Sequence, residues 1–302
     1  MTAPHPPHAD ARPQGAGTVV GRLIASSRPI SWINTAYPFA AAYLMTGGAL
    51  DWTLAVGTLY FLVPYNLLMY GINDVFDYES DLRNPRKGGV EGIVLDTSLH
   101  RTTLWAAVLS NVPFLVYLVA VGTWQSTVAL TVSVLAVVAY SAPGLRFKER
   151  PVLDSATSST HFVSPAVVGL LLVTSTVQPA VLTALGAFFL WGMASQAFGA
   201  VQDVAADRAG GISSVATVLG STTTVRGTMV LYALSSALLL TTGWPGALAA
   251  VVPVLYLVNV APYRSLPDSR CEDANAGWRR FLWLNMVSGF LVTQLLIWIA
   301  LR

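Results

Sequence analysis

The stretch LAVGTLYFLVPYNLLMYGINDVFDYESD, residues 54–81, decides the class of this fold. Leu54 to Ile72 carry no charge, and they are long enough to cross a bilayer, which takes about 20 residues of helix. The run then passes without interruption into Asn73, Asp74, Asp77 and Asp81. On a continued helix Asn73, Asp77 and Asp81 stack at i, i+4 and i+8, with Asp74 one step to the side. Carboxylates at that spacing repel and destabilise a helix. A compensating positive charge is therefore expected where this segment ends.

Working outward, the whole chain shares the apolar character. Of 302 residues, 54% are hydrophobic and only 11% charged, whereas a soluble domain carries about 25% charged residues. That excludes a soluble globular protein, and the aromatic content excludes a disordered one. One cysteine, Cys271, excludes an intramolecular disulfide, a zinc ribbon and an iron–sulfur site. The expected spans are Ile30–Thr46, Leu54–Ile72, Thr103–Val121, Thr127–Ser141, Thr160–Thr174, Val181–Val201, Val225–Thr242, Leu248–Ala261 and Phe281–Leu301. The expected fold is thus an all-α integral membrane protein, its nine transmembrane helices bundled around a central cavity that opens at the cytoplasmic side. A barrel would show alternating strands of about ten residues instead. Residues 1–27 are read as a disordered tail with a short interfacial helix over Val19–Ser27, and residues 28–302 as the membrane domain.

Threading the charges through nine spans sorts them. All of the 17 Lys and Arg except Arg302 fall on one side, and of the 15 acids only Asp51 falls on the other. The positive-inside rule then puts the N-terminus and the long loops in the cytoplasm and the C-terminus outside the cell membrane.

The sixth expected span ends as the second does. Asp203 and Asp207 stand at i, i+4 beside Arg208, and lying four spans apart the two clusters can face each other across a bundle. Oxygen donors without His or Cys suit a hard cation, Mg²⁺ above all, which binds through a few carboxylates and completes its shell with water and phosphate oxygens. Opposed acidic clusters form a clamp for a diphosphate held through metal. Arg83, Arg86, Lys87, Arg146, Lys148, Arg150 and Arg208 lie beside them and can take the remaining phosphate charge. A lone acidic run at a membrane edge reads equally well as a solvated loop; two runs at matched depth do not. Glu79, Glu91, Asp96 and Asp154 lack the spacing and are read as solvated, while Arg12, Arg22, Arg264 and Arg270 are read as orienting charges. Asn66, Asn111, Gln196, Asn259, Asn285, Gln294 and His161 are expected to be interhelical hydrogen-bond partners.

The chemistry follows from the setting. An allylic diphosphate leaves readily once its developing charge is neutralised, and the resulting carbocation needs a dry pocket, lined by aromatic faces. The expected reaction is intramembrane transfer of a prenyl group to an apolar acceptor.

Asn73-Asp74-x-x-Asp77-x-x-x-Asp81 and Asp203-x-x-x-Asp207 resemble the two signatures of the UbiA superfamily of membrane prenyltransferases. Ser27–Asn34, Asp77–Gly92, Tyr140–Pro143, Arg146–Pro151, Ser158–Phe162 and Trp191–Asp207 are most similar to the bacterial lycopene elongases of C50 carotenoid synthesis. The resemblance implies dimethylallyl diphosphate as donor and lycopene as acceptor, giving C45 and then C50 products. It also implies Asn73, Asp74, Asp77, Asp81, Asp203 and Asp207 for Mg²⁺-diphosphate and Arg83, Lys87, Arg146 and Lys148 for phosphate, with Asn34, Tyr140 and Ser141 lining the donor site. Partners are then the two substrates and the lipid bilayer, with other carotenoid enzymes as further candidates and no nucleic acid. One departure is that Gly199 and Gly211 flank the second motif, where many members carry another acid. Alternatives are an aromatic-acceptor prenyltransferase of quinone biosynthesis, a secondary transporter, whose ionisable groups would sit near the midplane, and a CDP-alcohol phosphotransferase, whose acids would form one contiguous motif.

Overall fold

The computed structural model describes residues 18–82 and 93–302, and every regular element among them is helical. In chain order the α-helices are α1 (Val19–Ser26), α2 (Ile33–Met45), α3 (Trp52–Leu62), α4 (Pro64–Phe76), α5 (Tyr78–Asp81), α6 (His100–Val121) and α7 (Trp124–Ser141). There follow α8 (Leu153–Val173), α9 (Pro179–Val201), α10 (Val204–Ala209), α11 (Val215–Leu219), α12 (Ser221–Leu240), α13 (Val251–Val260) and α14 (Asn275–Ala300).

Among the described residues, eight segments, not nine, are long and apolar enough to cross a membrane, α3 and α4 counting as one. The expected first span is realised as α2, whose 13 residues fall short of a crossing, preceded by the 3₁₀ turn Pro29–Ser31. Large apolar side chains such as Trp105, Leu109, Val116, Trp283 and Phe290 stay exposed on α6 and α14, the pattern of surfaces that meet lipid. The chain is a multi-pass membrane protein. Asp51, the lone acid of the expected outer loops, caps α3 by accepting the Leu54 amide at 2.9 Å and the Tyr43 hydroxyl at 2.9 Å.

Pro64 interrupts α3–α4 and cannot donate to the preceding turn. The amide of Asn66 fills in, donating to the Phe61 and Leu62 carbonyls at 2.8 and 3.1 Å and to Thr35 Oγ1 of α2 at 2.7 Å. Asn111 of α6 donates to the Pro64 carbonyl at 2.8 Å. Polar residues inside spans thus repair a broken helix and join it to neighbours.

The core has two lobes. Phe39, Tyr60, Phe61 and Tyr65 centre one, built from α2–α4, α6, α7 and α8; Phe198, Tyr232, Tyr256 and Phe281 centre the other, built from α9 and α12–α14. Packing of α8 against α9 joins them. Gly192 permits that approach, because a Cβ there would lie 2.3 Å from Ser159 Oγ, and Gly169 likewise lets α8 lie against α2, where a Cβ would stand 2.4 Å from the Phe39 carbonyl oxygen. Each lobe carries one acidic motif at the end of a long helix.

Candidate active site

Asn73 and Asp74 occupy the last turn of α4, where the helix dipole disfavours anions. The helical turn continues beyond α4, since the Asp77 amide donates to the Asn73 carbonyl at 2.9 Å and the Asp81 amide to the Asp77 carbonyl at 2.8 Å. The expected one-sided ladder is therefore present, with Asp74, Asp77 and Asp81 all buried.

The compensating charge comes from two separate segments. Asp74, fully buried, accepts from Arg28 Nη2 at 3.2 Å and from Ser26 Oγ at 2.8 Å. The Arg28 guanidinium also lies 4.3 Å from the centroid of the Tyr70 ring, a cation–π contact. Asp77 pairs with Lys148 and, at 3.6 Å, with Arg146 of the α7–α8 loop. Arg146 pairs with Glu149 as well. Ser141, the last residue of α7, donates to Asn73 Oδ1 at 3.0 Å. Arg28 and Arg146 both adopt left-handed backbone, with φ of 51° and 40°, a conformation that costs of order 1 kcal/mol for a residue with a Cβ. Both strained positions deliver a guanidinium to the first motif.

The second motif has another geometry. Asp203 precedes the six-residue α10, its carbonyl accepting the Asp207 amide at 2.8 Å, and Gly211, at φ 71°, turns the chain away after the helix. Both carboxylates are half-buried. Burial lowers the ammonium of Lys148, on the α7–α8 loop, to about 8, while nearby carboxylates, Glu149 first among them, pull it back up.

The remaining expected residues are distributed as follows. Tyr140 is half-buried, accepts Gln196 Nε2 at 3.3 Å, and meets His161 edge-on with centroids 5.2 Å apart. Asn34 is half-buried in the first turn of α2. Arg83 and Lys87, like Glu91, lie outside the described residues. Arg208 does not join the phosphate-facing cations: its Nε and Nη2 donate to the Thr217 carbonyl at 2.9 and 2.6 Å and its Nη1 to Asp268 at 2.6 Å.

Two residues escape sequence reasoning. Arg28 is distant in sequence from any acid; its only signal is its place inside the Ser27–Asn34 stretch. Asp154, expected to be solvated, is 1% exposed and accepts the Val215 and Ser155 amides at 2.7 and 2.6 Å, joining the start of α8 to α11. It sits at the head of a long apolar helix, and its partner is a backbone amide that no sequence spacing announces.

Among the described residues no three His, Cys, Asp or Glu side chains gather into a ready-made metal cage. The donor set still fits Mg²⁺ carried by a diphosphate, an ion that takes one or two carboxylates and fills its shell with water and phosphate oxygen. Asn73, Asp74, Asp77 and Asp81 on one side and Asp203 and Asp207 on the other are such donors, and the nearby cations suit the phosphates.

The chain is similar to several known proteins. The chain is 55% identical to a lycopene elongase/hydratase of Corynebacterium glutamicum over 91% of this chain and 96% of that one. It is 54% identical to a C(50) beta-cyclic carotenoids biosynthesis protein of Dietzia over 96% of this chain and 68% of that one. The fold is that of a UbiA homologue from Archaeoglobus fulgidus solved with DMAPP and Mg²⁺, with a TM-score of 0.64 at 18% identity over 88% of this chain and 98% of that one. With the UbiA prenyltransferase family model matching residues 35–297 as well, the chain belongs to the UbiA prenyltransferase family.

Proposed function

We propose that this protein transfers the dimethylallyl group of dimethylallyl diphosphate to the ends of lycopene, as a Mg²⁺-dependent elongase that takes a C40 carotenoid to C45 and C50. The observation that carries this reading is the ion pairing of Lys148 and Arg146 with the buried Asp77 of the first motif. A centre surrounded by oxygen donors and cations is what a metal-bound diphosphate requires. The identity with the Corynebacterium relative over nearly both full lengths supports the choice of acceptor.

Asn73, Asp74, Asp77, Asp81, Asp203 and Asp207 would hold Mg²⁺, which when bound neutralises the charge that develops on the leaving diphosphate. Lys148 and Arg146 bind the phosphate oxygens, exchanging Asp77 for the substrate. Arg28 holds Asp74 in orientation within the buried last turn of α4. Ser141 fixes the Asn73 amide with its oxygen toward the hydroxyl, and Tyr140 and Asn34 line the donor end. Burial beneath the motifs excludes water, so the allylic cation survives until the terminal double bond of the acceptor attacks it. Loss of a proton then ends the step. The N-terminus and the acidic motifs face the cytoplasm in this reading, which matches the side on which a water-soluble diphosphate is supplied.

The test is expression in a lycopene-accumulating host with pigments separated by mass. Carotenoids of C45 and C50 are expected. A pigment profile that stays at C40 while membranes containing the protein prenylate a hydroxybenzoate would replace lycopene by an aromatic acceptor.

A further inference from the structure

The second acidic motif rests on a helix that cannot hold itself. α10 has six residues, well below the length at which an isolated helix is stable in water, and glycines at 210 and 211 follow it. Its placement depends on what grips it from outside. The grip begins at Arg208, immediately after Asp207. Three of its N–H groups are engaged, Nε and Nη2 on the Thr217 carbonyl of α11 and Nη1 on Asp268 Oδ2. Asp268, at the start of the 3₁₀ segment before α14, uses its other oxygen to accept the Ser221 amide at 2.6 Å, at the start of α12. Gly220 makes room for this carboxylate: its φ is 78°, and a Cβ there would stand 3.3 Å from both Asp268 oxygens. One chain of contacts thus runs from Asp207 through Arg208 and Asp268 to the ends of three helices.

We propose that Arg208 and Asp268 form a positioning clamp that sets the orientation of α10 and so presents Asp203 and Asp207 to the metal-bound diphosphate. The clamp deepens the proposed function and rests on it. Arg208 is then not a phosphate ligand, because reaching the substrate would break three hydrogen bonds, two of them on a carbonyl with no other role in the site. Asp268 touches neither substrate nor metal and acts only through Arg208 and the α12 start.

The experiment uses the full-length protein in lipid nanodiscs and titrates Mg²⁺ in the presence of inorganic pyrophosphate, reading thermal stabilisation, beside assays of carotenoid elongation. Asp268→Asn and Arg208→Lys are each expected to raise the Mg²⁺ concentration needed for half of the full stabilisation by about tenfold, with kcat at saturating Mg²⁺ within about threefold of the parent. The double variant should match the worse single one, because both changes open the same clamp, and Asp268→Glu, which keeps the carboxylate, should recover most of the loss. Unchanged Mg²⁺ curves, or an Arg208→Lys effect confined to the KM for dimethylallyl diphosphate, would overturn the clamp and return Arg208 to the phosphate. A lower unfolding temperature without any change in Mg²⁺ response would equally overturn it. Parent protein that binds Mg²⁺-pyrophosphate but elongates nothing would defeat the proposed reaction and leave the clamp standing.

Discussion

The two acidic motifs read alike in sequence but lie on helices that are held differently. At the first, side chains are gripped one by one: Asp74 by Arg28 and Ser26, Asp77 by Lys148 and Arg146, and the Asn73 amide by Ser141. At the second, the structure grips the helix, through Arg208 on Thr217 and Asp268. The cause is where each motif lies on its helix. The first occupies the C-terminal turn of a long membrane helix, where the dipole opposes every added anion, so each charge needs its own partner. The second opens a short helix whose N-terminal end favours Asp203 but which lacks the length to be stable alone. A motif on a short helix needs its backbone fixed from outside as well as its charges met.

Replacing a carboxylate of either motif should have the largest effect and tests whether both motifs serve the same centre. Asp77→Asn and Asp203→Asn are each expected to lower turnover by at least about 10³-fold, the scale of losing one main electrostatic contact in a transition state, with membrane insertion intact by fractionation. An active Asp203→Asn enzyme would leave the first motif sufficient by itself. Chelation of Mg²⁺ by EDTA should abolish diphosphate release to a similar degree, with recovery on adding Mg²⁺ back.

Stability should separate the two regions next. Arg28→Ala leaves the fully buried Asp74 without its cation, which is expected to cost about 3 kcal/mol and to lower the unfolding temperature in detergent. Arg208→Ala breaks a pair whose members are 44% and 37% exposed, worth no more than about 1 kcal/mol, together with its hydrogen bonds to the Thr217 carbonyl, and should cost about 2 kcal/mol in all. Equal losses would mean that the second clamp carries as much of the fold as the first. The smallest effect is expected for Ser141→Ala. It removes one hydrogen bond to Asn73, worth about 1 kcal/mol, and should reduce kcat/KM by about fivefold in a diphosphate-release assay.

Much of the molecule was readable from residue order. Apolar runs of bilayer length announce membrane helices because the backbone has no other way to satisfy itself in lipid. The i, i+4, i+8 spacing announces an acidic face because the helix repeat is fixed. Hydropathy reports that Ile30–Thr46 avoids water, but not that the α-helix within it runs only from Ile33 to Met45. Asp154 was misread for a related reason: an isolated acid beside an apolar run looks solvated until the fold brings the Val215 amide to it.

Local chemistry therefore determined the class of the protein, the helical faces that carry its carboxylates, and the kind of ion and leaving group they suit. Tertiary structure alone decided which cation meets which acid. Arg28 reaches Asp74 across 46 residues and Arg208 reaches Asp268 across 60, pairings set by how helices from distant parts of the chain come together. A charge shows its sign in the sequence, but its partner is chosen by the packing around it.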